Sequence, residues 1–303
     1  MNTFEKARKF IYRNARPVDL AVFKYYFENG GRGDVLTALS AYQNPDGGFG
    51  WGIEADNFNR NSLPMGVWKA TEYIRSIGGI ENDHPMISGI LRYLESGDGF
   101  DEAHRQWQNT VPSNNDCPCA FWWKYAENGS LFEYNPTAAL AGFIVKYAEE
   151  GSAIYKKGLQ LVKEAADWFI NNAPIERHIA RCFITMYEDC KDTGVMPFDE
   201  TAFLSKLDEI VDKSICRDVS HWGDYIPRPS AFITSKSNRF YSESLKDLCV
   251  AECEYIKNTQ LDDGSFNVPW QWSNYNEWYV AENWCKTAIT IDNMLFLREF
   301  DPE

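Results

Sequence analysis

The chain predicts an all-α fold, and three observations carry that prediction. Apolar residues recur at three- and four-residue spacing along most of the length, and no stretch alternates as a half-buried strand does. The periodic runs also open on proline or capping residues and close on glycine. The periodicity places helices at 3–14, 18–28, 33–43, 65–77, 84–95, 118–127, 136–149, 153–172, 175–190, 200–215, 242–258 and 279–299, twelve in all and therefore six pairs.

Taken in order, the first helix starts at Thr3 with Glu5 behind it, and the second at Pro17. Gly30-Gly31 ends that second run, and Pro64 opens the fourth, which stops at Gly78-Gly79. Gly97 closes the fifth, Pro118 opens the sixth and Gly129 follows it. Asn135-Pro136 opens the seventh, Gly151 separates it from the eighth, and Asp199-Glu200-Thr201 opens the tenth. Proline suits a first helical turn because its missing N–H has no partner there, and glycine accepts the left-handed residue that ends a helix. The whole chain, 1–303, reads as one domain, long enough to bury a large core.

Composition narrows the partners. Thirty Lys and Arg against 44 Asp and Glu leave a formal charge of −14, which argues against nucleic acid and anionic membrane surfaces. No run of eighteen apolar residues is present, so no integral membrane segment is expected, and the opening MNTFEKARKF lacks the apolar core of a signal peptide. A cytoplasmic, reduced setting is expected for the eight cysteines; Cys249 and Cys253, four apart on one helix face, read as buried packing. Aromatic residues are the unusual feature, with 11 Trp, 16 Tyr and 19 Phe making 15% of the chain.

Internal repetition follows. Residues 41–51 (AYQNPDGGFGW), 92–100 (RYLESGDGF) and 254–266 (EYIKNTQLDDGSF) each end a helix on tyrosine and turn through Asp-Gly to phenylalanine. The first and last share Q-x-x-D-G-[GS]-F, as Gln43, Asp46, Gly47, Gly48, Phe49 and Gln260, Asp263, Gly264, Ser265, Phe266. Glycine permits a positive φ, and the glutamine amide can donate to carbonyls at a helix end, so the motif reads as a clamp between helices. A second element recurs, in which Pro64, Pro118 and Pro136 each open an apolar, small-residue helix suited to burial on more than one face.

With Phe49 and Phe266 where tryptophan is usual, these turns resemble the QW repeats of the terpenoid cyclase and protein prenyltransferase superfamily. That resemblance covers about half of the chain and implies an α/α toroid of about six inner and outer helix pairs, with an apolar, isoprenoid-like ligand in its cavity. The superfamily's D-x-D-D and D-D-x-x-D signatures are absent, and Asp262-Asp263 belongs to a turn. The Asp-x-Cys and histidine set that holds zinc in prenyltransferases is not matched in register by Asp116, Cys117 and Cys119, and the last helix carries Glu282, Asn283 and Cys285 in place of its histidine. No metal and no cofactor are assigned. Cys117 and Cys119 stand too close for the usual zinc hairpin and read as helix-start residues.

Candidate site residues come from two aromatic loops. The segment 47–64 is rich in Gly and Asn and holds Trp51, Glu54 and Asp56; the two acids are either catalytic groups at a cavity mouth or caps for the loop. The segment 268–284 holds Trp270, Trp272, Trp278 and Trp284, with Tyr275, Tyr279, Glu277 and Glu282 among them. Indole faces stabilise cations and also stack on sugar rings, and a carboxylate among rings can serve as an acid, so Glu282 joins the catalytic candidates. His221 and Asp224 in HWGDY are further ligand-binding candidates, with a structural donor as the competing reading for the histidine.

Three functions stay open: an enzyme or binder acting on an isoprenoid-like ligand, a carbohydrate-active hydrolase or lyase with paired carboxylates, and a non-catalytic ligand-binding or scaffold protein.

Overall fold

A computed structural model describes residues 2–272 and 275–301. Among the described residues there are eleven α-helices: α1 Thr3–Asn14, α2 Pro17–Phe27, α3 Arg32–Ser40, α4 Pro64–Ser76, α5 Pro85–Ser96, α6 Thr137–Tyr147, α7 Ala153–Asn172, α8 Arg177–Thr193, α9 Glu200–Ser214, α10 Glu243–Thr259 and α11 Tyr275–Phe300. The fold is all-α. The one described sheet is a two-residue hairpin, β1 Phe100–Asp101 against β2 Gln106–Trp107, with Phe100 opposite Trp107.

Local chemistry sets most helix limits. Proline fills the first turn of α2, α4 and α5, and His84 caps α5 by accepting from Met86 N–H at 3.1 Å. Ser152 and Glu176 cap α7 and α8 in the same way, at 3.2 and 2.8 Å. Gly97 and Gly194 end α5 and α8 in the left-handed conformation.

The helix expected over 118–127 does not form. Its backbone pairs with the preceding loop instead: Phe58 N–H donates to Pro118 O at 2.9 Å and Ala120 N–H to Asp56 O at 2.8 Å. A 3₁₀ turn at Phe121–Trp123 forms there instead, and Pro118 O, an acceptor that a helix would use, is taken by Phe58. Pro118 therefore opens no helix, and the expected six pairs lose one member among the described residues. Between α9 and α10 the chain runs through 3₁₀ turns at Val219–His221 and Pro229–Ala231.

The chain divides into two compact units, one of Met1–Gly31 with Asp208–Glu303 and one of Arg32–Leu207. In the second unit α6 lies against α4, α7 and α8, and every residue of α6 except Lys146 is buried. Phe169, Phe183 and Phe203 stack in its core, with the first two ring centroids 4.2 Å apart. In the other unit α11 packs on α1, α2 and α10.

Candidate functional site

The Q-x-x-D-G-[GS]-F segments fold alike, atom for atom. After α3, Gln43 Nε2 donates to Gly47 O at 3.0 Å and to Met86 O in α5 at 3.3 Å. After α10, Gln260 Nε2 donates to Gly264 O at 3.0 Å and to Thr3 O in α1 at 2.8 Å. Asp46 accepts from Gly48 N–H and Asp263 from Ser265 N–H, both at 2.9 Å. The central glycines have φ of 97° and 96°, and a Cβ on either would stand 2.0 Å from Gly89 O or 2.1 Å from Lys6 O. Each turn thus lays bare backbone against a helix, which only glycine allows. The third aligned segment, 92–100, differs: it has no glutamine, Gly99 approaches Pro64, and Phe100 packs edge-on against Trp107 at 4.9 Å in the hairpin.

In the unit containing α3 to α8, the first turn leads into the 47–64 loop. Trp51 adopts a positive φ of 58°, donates from Nε1 to Asn44 Oδ1 at 2.7 Å and carries the Arg60 guanidinium 5.6 Å from its ring centroid. It is 53% exposed, so one indole is held rigidly at the surface. Asp56 is buried and accepts from Trp123 Nε1 at 2.7 Å, which makes it a brace for the 112–123 segment. Buried Asn59 reinforces that brace by donating to Ser113 Oγ and Asn114 Oδ1, both at 2.8 Å.

Glu54 is half-buried and acts electrostatically on Lys69 of α4. Lys69 Nζ lies 3.1 Å from Glu72, and Arg181 of α8 reaches the other oxygen of Glu72 at 2.7 Å. Burial would raise the Glu72 carboxyl, but Lys69 and Arg181 outweigh it and hold the group below its usual range. These partners were not singled out from sequence. Their signal is Lys69 and Glu72, an opposite-charge pair three apart on one helix.

A cleft of about 500 Å³ opens at the C-terminal ends of α4, α6 and α8. Fully buried Asp189 there pairs with Arg75 and with Lys146, the latter at 3.2 Å. Glu188 also lines it, and its carboxyl is pushed up by loss of hydration.

The other unit gathers the second aromatic loop. Trp270, Trp272 and Trp278 form a chain of rings with centroids 6.1 and 6.4 Å apart, the second pair stacked, and Tyr225 meets Trp270 edge-on at 5.7 Å. Trp278 is the first member of a stripe on α11, followed at four-residue steps by Glu282 and Lys286. Glu282 is 6% exposed; its Oε1 lies 2.6 Å from Lys286 Nζ, and its Oε2 is buried with no hydrogen-bond partner. Trp270 Nε1 is likewise buried without a partner. Trp270 in that ring chain thus carries a buried donor without a partner, and Glu282, one helical turn from Trp278, carries a buried acceptor without one.

Comparison with family models, with curated proteins and with solved structures finds no match for this chain. The site therefore stands on its own residues.

Trp284 lies apart from the ring chain's stripe and carries Arg16 at 5.4 Å from its centroid; Arg16 in turn pairs with Asp19 at 2.7 Å, both buried. His221 sits on an exposed turn, 3.2 Å from Asp224 Oδ2, and neither side chain is buried. The ring of Tyr275 lies outside the described side chains. Glu54 and Asp56 belong to one unit and Glu282 to the other. Lys286 was also not singled out, although a Glu and a Lys four apart in a predicted helix are the usual signal of a pair. Among the described residues no three His, Cys, Asp or Glu side chains converge as a metal site. Cys117 and Cys119 lie instead 3.9 Å from Asn59 Oδ1 and 3.3 Å from Asn114 O.

Proposed function

We propose that the chain is an α/α toroid of the terpenoid cyclase and prenyltransferase kind, and that it binds a saccharide at the Trp270–Trp272–Trp278 and Glu282 cluster. The toroid is supported by the order in which the turns grip helices. The turn after α3 holds α5, two helices on; the turn after α10 holds α1, which is two helices on if α1 follows α11 around a ring.

One observation carries the ligand: the buried, unpartnered Trp270 Nε1 and Glu282 Oε2, the first in a chain of three indoles of which one pair is stacked, the second one helical turn from its last member. A sugar hydroxyl both donates and accepts, so it answers the carboxylate oxygen and the indole N–H, while the apolar face of a pyranose packs on a ring. A hydrocarbon answers neither polar atom. The reading covers binding, with Glu282 as the carboxylate nearest any chemistry.

A second reading, an isoprenoid-like ligand, draws on the likeness of the two glutamine turns to QW repeats. Thermal-shift and calorimetric titration with cellobiose, maltose, farnesyl diphosphate, geranylgeranyl diphosphate and squalene separates the two. The saccharide reading expects binding of a disaccharide that weakens at least tenfold in Glu282→Gln. Binding of an isoprenoid with no response to any sugar would overturn it.

A further inference from the structure

We infer that the saccharide is a neutral one, so that the site serves binding or hydrolysis and not β-elimination from a uronide; this rests on the saccharide reading above. Elimination beside a uronate carboxylate needs a cation to neutralise that carboxylate while a base takes the adjacent proton. Three cations described in this unit, with side chains no more than 20% exposed, are already paired. Lys286 holds Glu282 at 2.6 Å, Arg16 pairs with Asp19 at 2.7 Å, and Arg228 pairs with fully buried Glu252 at 3.1 Å.

The Glu282–Lys286 pair also sets the charge that the ligand meets. Their side chains are 8% and 12% exposed, so two opposite charges cancel in a poorly hydrated place. A uronate carboxylate brought to the bare Oε2 would set two carboxylates together, with the nearest ammonium already shared. An amino sugar's ammonium would place one carboxylate between two ammonium groups and leave a net positive charge in that poorly hydrated place. A hydroxyl adds no charge, and the hydroxyls of a sugar can both donate to Oε2 and accept from Trp270 Nε1. At longer range the formal charge of −14 repels polyanionic sugars.

The test is isothermal titration of the full chain with cellobiose, maltose, digalacturonate and glucosamine, repeated with Glu282→Gln and with Trp278→Phe, each variant first checked for native circular dichroism. A neutral disaccharide binding at least tenfold more tightly than digalacturonate and glucosamine, with that margin reduced in Glu282→Gln, supports the inference. Should Glu282→Gln fail to fold, loss of neutral-sugar binding in Trp278→Phe with the same preference in the parent supports it equally. Digalacturonate or glucosamine binding as tightly as the neutral sugars overturns the inference and leaves the saccharide reading standing. No binding of any of the four overturns both.

Discussion

Replacing Gly47 by alanine tests the idea that the glutamine turns hold helices by direct backbone contact. Two costs combine. A side chain at φ 97° lies in left-handed territory, worth about 1–2 kcal/mol. The new Cβ would also stand 2.0 Å from Gly89 O and 2.5 Å from its carbonyl carbon, so α5 must move by more than an ångström, adding about 1–3 kcal/mol. Gly47→Ala should therefore lose about 2–5 kcal/mol, a large part of the 5–15 kcal/mol typical of a folded domain. Gly97→Ala is the control: its φ is 77°, but a Cβ there meets nothing within 4 Å, so only the conformational cost of about 1–2 kcal/mol applies. Urea unfolding followed by tryptophan fluorescence reads both, and Gly264→Ala, 2.1 Å from Lys6 O, should match Gly47→Ala in the other unit. The reasoning fails if Gly97→Ala costs as much as Gly47→Ala.

Other outcomes follow from the same geometry. Gln260→Ala removes the donor to Thr3 O and Gly264 O and should cost about 1–3 kcal/mol, with faster amide exchange in α1 than in α7 as its local mark. Glu72 is held below its usual range, so its ion pairs contribute stability above about pH 4.5 that is lost as the pH falls through the lowered value. Between pH 5 and pH 3 the parent should then lose more stability in urea than Glu72→Gln, and equal slopes would refute this. Burial pushes Cys190 and Cys253 up to about 12 and Cys249 up to about 11, and raises Cys182 as well. Native protein at pH 8 should therefore show fast reaction with a thiol reagent only at Cys117, Cys216 and Cys285, as read by peptide mass spectrometry.

Helix type and order were legible because periodicity and punctuation are local. Proline at the first turn of α4 and glycine after α5 act within a few residues, and α1 and α7 form where the pattern puts them. The segment 118–127 misled because Pro118 and Ala120 find partners at Phe58 and Asp56, some sixty residues upstream, and no local pattern announces such a bond. The turns were legible as clamps from Gln, Asp and Gly, but the helices they seize were not. Of the candidate residues, Trp270, Trp272 and Trp278 meet as one chain of rings, since they lie on α11 or within a few residues before it. Asp56 turned out to be a brace because its partner Trp123 is distant in sequence. Lys69, Arg181 and Lys286 do not stand out in sequence as the acids and rings do, although a carboxylate's behaviour depends as much on the cation beside it.

The grip of Gln260 on Thr3 also has a consequence for synthesis. The helix that Gln260 fastens is made more than two hundred residues before its fastener, and α10 and α11, which share its unit, are translated after the whole of the other unit. At roughly 5–20 residues per second, α1 and α2 wait on the order of tens of seconds for their partners. Until residue 208 is made, the apolar faces of Phe10, Ile11, Val22 and Phe23 have nothing of their own unit beyond α1 and α2 to cover them. A nascent chain halted before residue 243 should accordingly be the form that chaperones hold longest.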